Sequence, residues 1–292
     1  MAVYKRAYEP YRGPLEKRWS RCLVLTRYAL RDLFASRFFL GAFIVCLVPV
    51  LLFGGYIFVA NSDLVKTVFS LVSRTVNLQV ETRFFAIFLD IQSSLVFLLT
   101  CWAGPTLVAG DLTNGALPLF LSRPFSRAEY VIGKFAVLVI LLSCLTWVPA
   151  LLLLFLEAGL GPKNWLGAHL WMIGPIIWLS VVWIALLSLV ALATSAWVRW
   201  RIVAIGVIFG LFVFPAGFGV VMDNVLGTHW GRLLDLTYLF GELLFRGLHT
   251  TFLRGGQGVV PPSAAWAMLL AASAASLWLL HLRLRAFEVV RG

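Results

Sequence analysis

Charge is what this chain has least of. Only 13% of its 292 residues are Asp, Glu, Lys or Arg, while 61% are hydrophobic and the mean hydropathy is +0.92. Soluble domains carry about 25% charged residues, so a soluble protein is excluded and no room is left for a separate soluble domain. Acidic residues are scarcer still, 13 against 24 basic ones, for a net charge of +11. In a soluble protein that imbalance would suggest nucleic acid; in a membrane protein the placement of the charges matters more than their sum, and no nucleic-acid partner is expected. Cysteine is sparse as well. Cys22, Cys46, Cys101 and Cys144 show no C-x-x-C spacing, and the last three fall in apolar runs, where cysteine acts as a small hydrophobe. His169, His229, His249 and His281 are too scattered for a zinc signature, and neither His-Glu-x-x-His nor Gly-x-Ser-x-Gly occurs. No phosphate-cradling G-x-x-x-x-G-K-[ST] is present: Gly133-Lys134 is followed by Phe135 and lacks the earlier glycine. The chain therefore names no catalytic residue, metal ligand or cofactor, and is not expected to hydrolyse ATP itself, leaving only a scattered intramembrane site open.

What it has instead is long apolar runs. A span needs about 20 residues at 1.5 Å each, and six runs qualify: Phe38 to Ala60, Phe84 to Ala109, Val131 to Leu156, Leu170 to Val198, Ile202 to Met222 and Ala264 to Leu282. The expected fold class is an all-α polytopic membrane protein with six transmembrane helices, so both termini lie on one side. With that side cytoplasmic, 17 of the 24 basic residues fall inside, among them Arg27, Arg31, Arg37, Arg123, Arg127, Lys134, Arg201 and Arg283, and 7 outside. The positive-inside rule favours this orientation.

Residues 1–19 are polar and basic, with Pro10, Gly13 and Pro14 against a helix. They lack the apolar core and cleavage site of a signal peptide and read as a cytosolic segment. Residues 20–37 are amphipathic. Trp19, Cys22, Leu23, Thr26, Ala29, Leu30 and Leu33 share one side of a helical wheel, and Ser20, Arg21, Arg27, Arg31 and Asp32 the other. That pattern fits an interfacial helix with its apolar face among acyl chains; the same composition also fits a helix packed on protein. The remainder, 38–292, is the six-span domain.

Within the spans, Asp90 and Gln92 lie near the outer end of the second. An intramembrane carboxylate is by default a pathway candidate, the alternative being that Asp90 sits at headgroup level and the span begins at Ile91. Gly206 and Gly210 form a small-xxx-small pair in the fifth span, and Ala267, Ala271 and Ala275 a small stripe in the sixth, both suited to close helix packing, within one subunit or across a dimer. Pro49, Pro149, Pro175 and Pro215 fall in or near apolar helices, where proline frees a carbonyl and shapes the axis. Residues 223–262 carry enough Leu, Phe and Tyr to form helices lying on or dipping into the outer leaflet.

The polar island GDLTNGALPLFLSRPFSRAEYVIGK, residues 110–134, separates the second and third spans. Its charges would each cost about 2.5 to 3.5 kcal/mol at bilayer depth, so it lies in water. Leu112, Ala116, Leu119 and Phe120 recur at helical spacing after Gly110-Asp111, predicting a short amphipathic helix. Pro124 ends it, and Ser126 with Glu129 forms a capping box for the next helix.

This run resembles the cytosolic loop of ABC-2 type transporter permeases, in which an acidic residue, a glycine and a Leu-rich turn lead into Ser-x-Pro-x-Ser-Arg and a Gly-Lys. The matching positions are Asp111, Gly115, Leu117, Leu119, Leu121, Ser122, Pro124, Ser126, Arg127, Gly133 and Lys134; where the family often has a Glu-Arg-Glu cluster, Asp111 stands with Thr113 and Asn114. Residues 20–37 then resemble the family's elbow helix, and Arg285 to Val289 its Arg-x-Phe-acid end. The resemblance implies a permease subunit, expected to export, that couples through Asp111, Gly115, Leu117, Leu121, Ser122, Arg123, Pro124, Ser126 and Arg127 to a separate ATPase. Two ATPase copies would hold the ATP and Mg. A second permease copy or paralogue and membrane lipids complete the expected partners, in a bacterial inner membrane. Another class stays open: an intramembrane enzyme or assembly factor whose basic inner surface binds lipid, with 110–134 a solvated loop. The substrate is not legible, since an apolar cavity suits lipid, drug, glycan carrier or peptide alike.

Overall fold

A computed structural model describes residues 18–62, 80–113, 127–162, 164–198, 200–227, 229–251 and 260–286. Among them every regular element is a helix. The order is α1 (Arg18–Ala35), α2 (Arg37–Asn61), α3 (Thr82–Thr113), α4 (Arg127–Ser143), α5 (Trp147–Leu160), α6 (Trp165–His169) with a 3-10 turn at Leu170–Met172, α7 (Ile173–Trp197), α8 (Arg201–Leu226), a 3-10 turn at Trp230–Leu234, α9 (Leu236–Gly247) and α10 (Pro262–Ala286). Six segments of the described chain are long and apolar enough to cross a bilayer: α2, α3 to Leu107, α4 with α5, α6 through α7, α8, and α10 to Arg283. The protein is a multi-pass membrane protein with the six runs where hydropathy put them.

The spans are not equivalent. About a fifth of α2 and α10 and little more of α8 is buried, against well over half of α3, α4–α5 and α6–α7. The second, third and fourth spans thus form the centre, and the rest flank it. Lipid is as apolar as leucine, so what holds such a centre is close backbone approach and hydrogen bonding rather than hydrophobicity. The α3–α7 pair shows both. A Cβ added at Gly104 would lie 2.6 Å from the Ala191 Cβ, the Ser195 hydroxyl donates to the Pro105 carbonyl (3.4 Å), and the Trp183 indole donates to the Ser93 carbonyl (3.3 Å).

Proline acts unequally. Pro49, Pro105 and Pro215 lie inside unbroken helices, and Pro175 falls in the first turn of α7, where it costs no helical bond. Pro149 divides the third span. It can give no N–H to the Leu145 carbonyl, and the chain turns at residues 144–146 before α5 begins. The Thr146 hydroxyl and amide both donate to the Leu142 carbonyl (2.9 and 3.0 Å), closing the end of α4.

Between α8 and α10 the chain packs into the bundle. α9 is buried on every side, from Tyr238 through Phe245 without interruption, and packs on α3, α7 and α10. A helix apolar all round needs protein on every face. Asp235 caps it, accepting from the Tyr238 amide (3.0 Å), and the Phe240 ring stacks on Trp183 of α7 at 4.5 Å.

Candidate functional site at the inner helix ends

The helices that carry the 110–134 island are long and well anchored. α3 continues without a break through Gly110 and Asp111 to Thr113. The helix start expected at Gly110-Asp111 is therefore the end of the second span's own helix, because a single glycine costs a helix only about 1 kcal/mol relative to alanine. The third span's helix starts at Arg127, directly after Ser126, with Glu129 in its first turn. Gly115, Leu117, Leu121, Ser122, Arg123, Pro124 and Ser126 lie outside the described residues, as do the Asp111 and Arg127 side chains.

Against the start of α4 lies α1. Thr26, Ala29 and Leu33 are buried, and the Thr26 hydroxyl donates to the Gly133 carbonyl at 3.1 Å, which explains a threonine on an otherwise apolar stripe. Most of the face expected among acyl chains thus packs on α4 and α2, and the protein-packed alternative describes it better. Leu23, Val24, Tyr28 and Phe34 remain exposed. The corner into α2 is held by Ser36, whose hydroxyl accepts from the Phe39 amide (3.5 Å), and by Phe34, with rings of Phe39 and Phe43 at 5.4 and 5.3 Å.

Cations tie together the other helix ends on the side of the island. Lys134 is buried with its ammonium 5.7 Å from the Tyr130 ring centre. Arg201, at the start of α8, lies over Trp102 of α3 at 4.8 Å. Arg283 of α10 donates to the Ala196 carbonyl (3.3 Å) and covers Trp197 of α7 at 5.4 Å, while the Trp197 indole donates to the Leu279 carbonyl (3.1 Å). Each pairing places a guanidinium or ammonium on an aromatic face within the roughly 6 Å range of cation–π attraction.

Deeper in, Asp90 is half-buried and its carbonyl accepts from the Ser93 and Ser94 hydroxyls (2.8 and 3.2 Å). It lies eight residues after Thr82, where the helix begins, about 12 Å along the axis. Gln92 points elsewhere: it is fully buried, donates to the Cys46 carbonyl of α2 (2.9 Å), and its Oε1 has no hydrogen-bond partner among the described residues. The two are not brought to one site.

A family profile for ABC-2 family transporter protein matches residues 24–285. The chain belongs to the ABC-2 transporter family. No curated protein matches it. Membership makes the chain a membrane permease subunit of an ABC transporter, a transport component that in general works with an ABC ATPase. The match runs across α1, the inner helix ends just described and α10, so the resemblance carried by the 110–134 island extends to nearly the whole described bundle.

In this ABC-2 family member neither small-residue stripe makes a close approach to another helix among the described residues. Among the described residues nothing stands within 4 Å of a Cβ on Gly206, and one on Gly210 meets the Phe214 ring of its own helix; Ala267, Ala271 and Ala275 are exposed. Close approach occurs at Gly104 and at Gly219, where an added Cβ would lie 2.2 Å from the Gly231 carbonyl oxygen. No single-helix motif marks these positions, since each depends on a residue far along the chain.

Buried acids were also missed. Glu157, at the outer end of α5, accepts from the Asn61 amide of α2 (2.8 Å). Glu242 is buried in α9 and paired with Arg246, which also donates to the Val260 carbonyl (3.0 Å). Asp223 of α8 accepts from the Gly231 amide (2.7 Å) and faces Arg232 at 3.8 Å, and Arg232 covers the Tyr238 ring at 4.9 Å. Burial pushes the Tyr238 phenol up, with the neighbouring Arg232 opposing and Glu242 reinforcing. The Glu242/Arg246 spacing of four was a readable signal for this ladder.

Proposed function

We propose that the chain is the permease of an exporter in a bacterial inner membrane, with both termini cytoplasmic, driven by two copies of a separate ATPase that hold the ATP and Mg. A second permease, a copy or a paralogue, completes the pathway. The observation that carries this reading is the framing of the island. α3 runs unbroken to Thr113 and α4 starts at Arg127, so only thirteen residues connect two helices of the central bundle. A docked segment of that length delivers ATPase motion to the second and third spans instead of losing it in slack chain. Asp111, Gly115, Leu117, Leu121, Ser122, Arg123, Pro124, Ser126 and Arg127 carry the docking, with Leu117 and Leu121 as apolar anchors in a groove of the ATPase and the charges setting register. Asp90 serves the substrate pathway in this scheme.

Copurification tests it. A Walker-motif ATPase should copurify with the wild-type permease, and Leu117→Asp or Leu121→Asp should release it or uncouple its turnover from transport. Truncating an interface anchor commonly costs more than about 1 kcal/mol, and hot spots about 2 or more. Full ATPase association and transport in both variants would sink the docking role.

A further inference from the structure

The exposed side of α1 is left unused by everything above. Its buried side is fixed by Thr26 on Gly133 and by Ala29 and Leu33, so the helix cannot roll. Facing away are Val24, Arg27, Tyr28 and Arg31, which line a cavity of about 600 Å³. Arg27 and Arg31 are one turn apart and exposed, and neither has a hydrogen bond, ion pair or ring contact among the described residues. Leu23, Val24 and Tyr28 beside them are 65%, 48% and 63% exposed.

Two unpaired guanidinium groups next to unpaired apolar surface match an amphiphile with an anionic phosphate head. The depth is right as well. Arg31 is four residues before Ala35, about 6 Å from the corner where the chain turns into α2, and Phe38, Ile44 and Val45 beyond that corner are exposed in the manner of lipid-facing side chains. The cavity thus lies on the turns of α1 that lead into the first span. Its volume is within the roughly 300 to 1,000 Å³ of small-ligand sites, and Arg suits planar, bidentate recognition of phosphate. An acidic protein surface could satisfy the arginines but would have to enter the bilayer edge to cover Val24 and Tyr28.

We infer that Val24, Arg27, Tyr28 and Arg31 form a binding site for one anionic phospholipid of the inner leaflet. The lipid's phosphate pairs with both arginines while Val24 and Tyr28 flank its glycerol and upper chains. The site rests on the inner-side placement of α1 and not on the docking of an ATPase.

Native mass spectrometry of the purified full-length permease, titrated with dioleoyl phosphatidylglycerol or dioleoyl phosphatidylcholine, tests it. Phosphatidylglycerol should bind in preference. A basic residue at an anionic surface contributes about fivefold in affinity, so Arg27→Gln/Arg31→Gln should weaken phosphatidylglycerol about thirtyfold and leave phosphatidylcholine unchanged, with Arg27→Lys/Arg31→Lys, which keeps the charge but loses the bidentate fork, falling between the Gln pair and the wild type. Equal phosphatidylglycerol affinity in the Gln and wild-type chains would overturn the site. So would displacement of the lipid by millimolar inorganic phosphate, which would mark a free-anion site. Loss of a copurifying ATPase with lipid binding unchanged would assign the arginines to the protein partner and overturn it too. Because lipid binding is read on the permease alone, its outcome is distinct from that of the Leu117 and Leu121 variants.

Discussion

Gly104→Ala should loosen the centre of the bundle. The new Cβ would start 2.6 Å from the Ala191 Cβ, and carbon atoms rest at about 3.5 to 4.0 Å, so α3 and α7 must part by about 1 Å. Neither side can yield cheaply, because the obstacle is a methyl on a helix backbone with no rotamer to change. Overpacking of this kind costs about 1 to 3 kcal/mol. The pair is also held by Ser195 on Pro105 and Trp183 on Ser93, both at the long end of hydrogen-bond range (3.4 and 3.3 Å), which a 1 Å separation would break. At roughly 2 °C per kcal/mol for a chain of this size, the purified permease should lose about 2 to 6 °C in thermal unfolding. Ala191→Gly removes the obstructing methyl at a cost of about 1 kcal/mol of helix propensity. The double variant should then be no worse than Ala191→Gly alone, giving a coupling of about 1 to 3 kcal/mol of the kind contacting residues show. Additive losses in the four-variant cycle, or an unchanged midpoint for Gly104→Ala, would refute the close α3–α7 approach.

Asp90→Asn should leave assembly intact and alter transport or substrate-stimulated ATP turnover; unchanged transport across substrates and pH would remove Asp90 from the pathway. Glu242→Gln strips the charge partner from Arg246 inside α9's surroundings and should cost about 1 to 3 kcal/mol, less than a fully buried pair because Arg246 is a third exposed, read as a drop of a few degrees in the unfolding midpoint. Gly219→Ala should force α8 away from the turn at Gly231, since the added carbon would meet that carbonyl oxygen at 2.2 Å, and a spin-label pair at Val221 and Leu233 should report the separation. Pro149→Ala restores the N–H that Leu145 lacks and should join α4 to α5, changing a label distance between Val139 and Phe155 while the chain still inserts.

Much of this protein follows from composition and periodicity. An apolar run of some twenty residues can satisfy its own backbone only as a helix, and lipid admits little else. For that reason Phe38 to Ala60 and the five later runs became helices within a few residues of their expected ends, and the island from Gly110 to Lys134, too charged to enter, fell between two of them. Family membership was legible there too, because short-range spacing such as Ser122, Pro124 and Ser126 is a property of the chain itself. Contacts between distant residues are not. The apolar side of α1 read as lipid-facing, yet Thr26 finds Gly133 more than a hundred residues away. Gly206 and Gly210 have the spacing of a packing motif but meet no other helix among the described residues, while Gly104, with no motif, is pressed against Ala191. Whether a small residue faces a helix or the outside depends on the rotation of its helix in the bundle, a quantity the local pattern leaves free. The same is true of the buried acids: Glu157 and Glu242 are tolerable only because Asn61 and Arg246 stand beside them, and for Asn61 that neighbour exists only once α2 and α5 have packed.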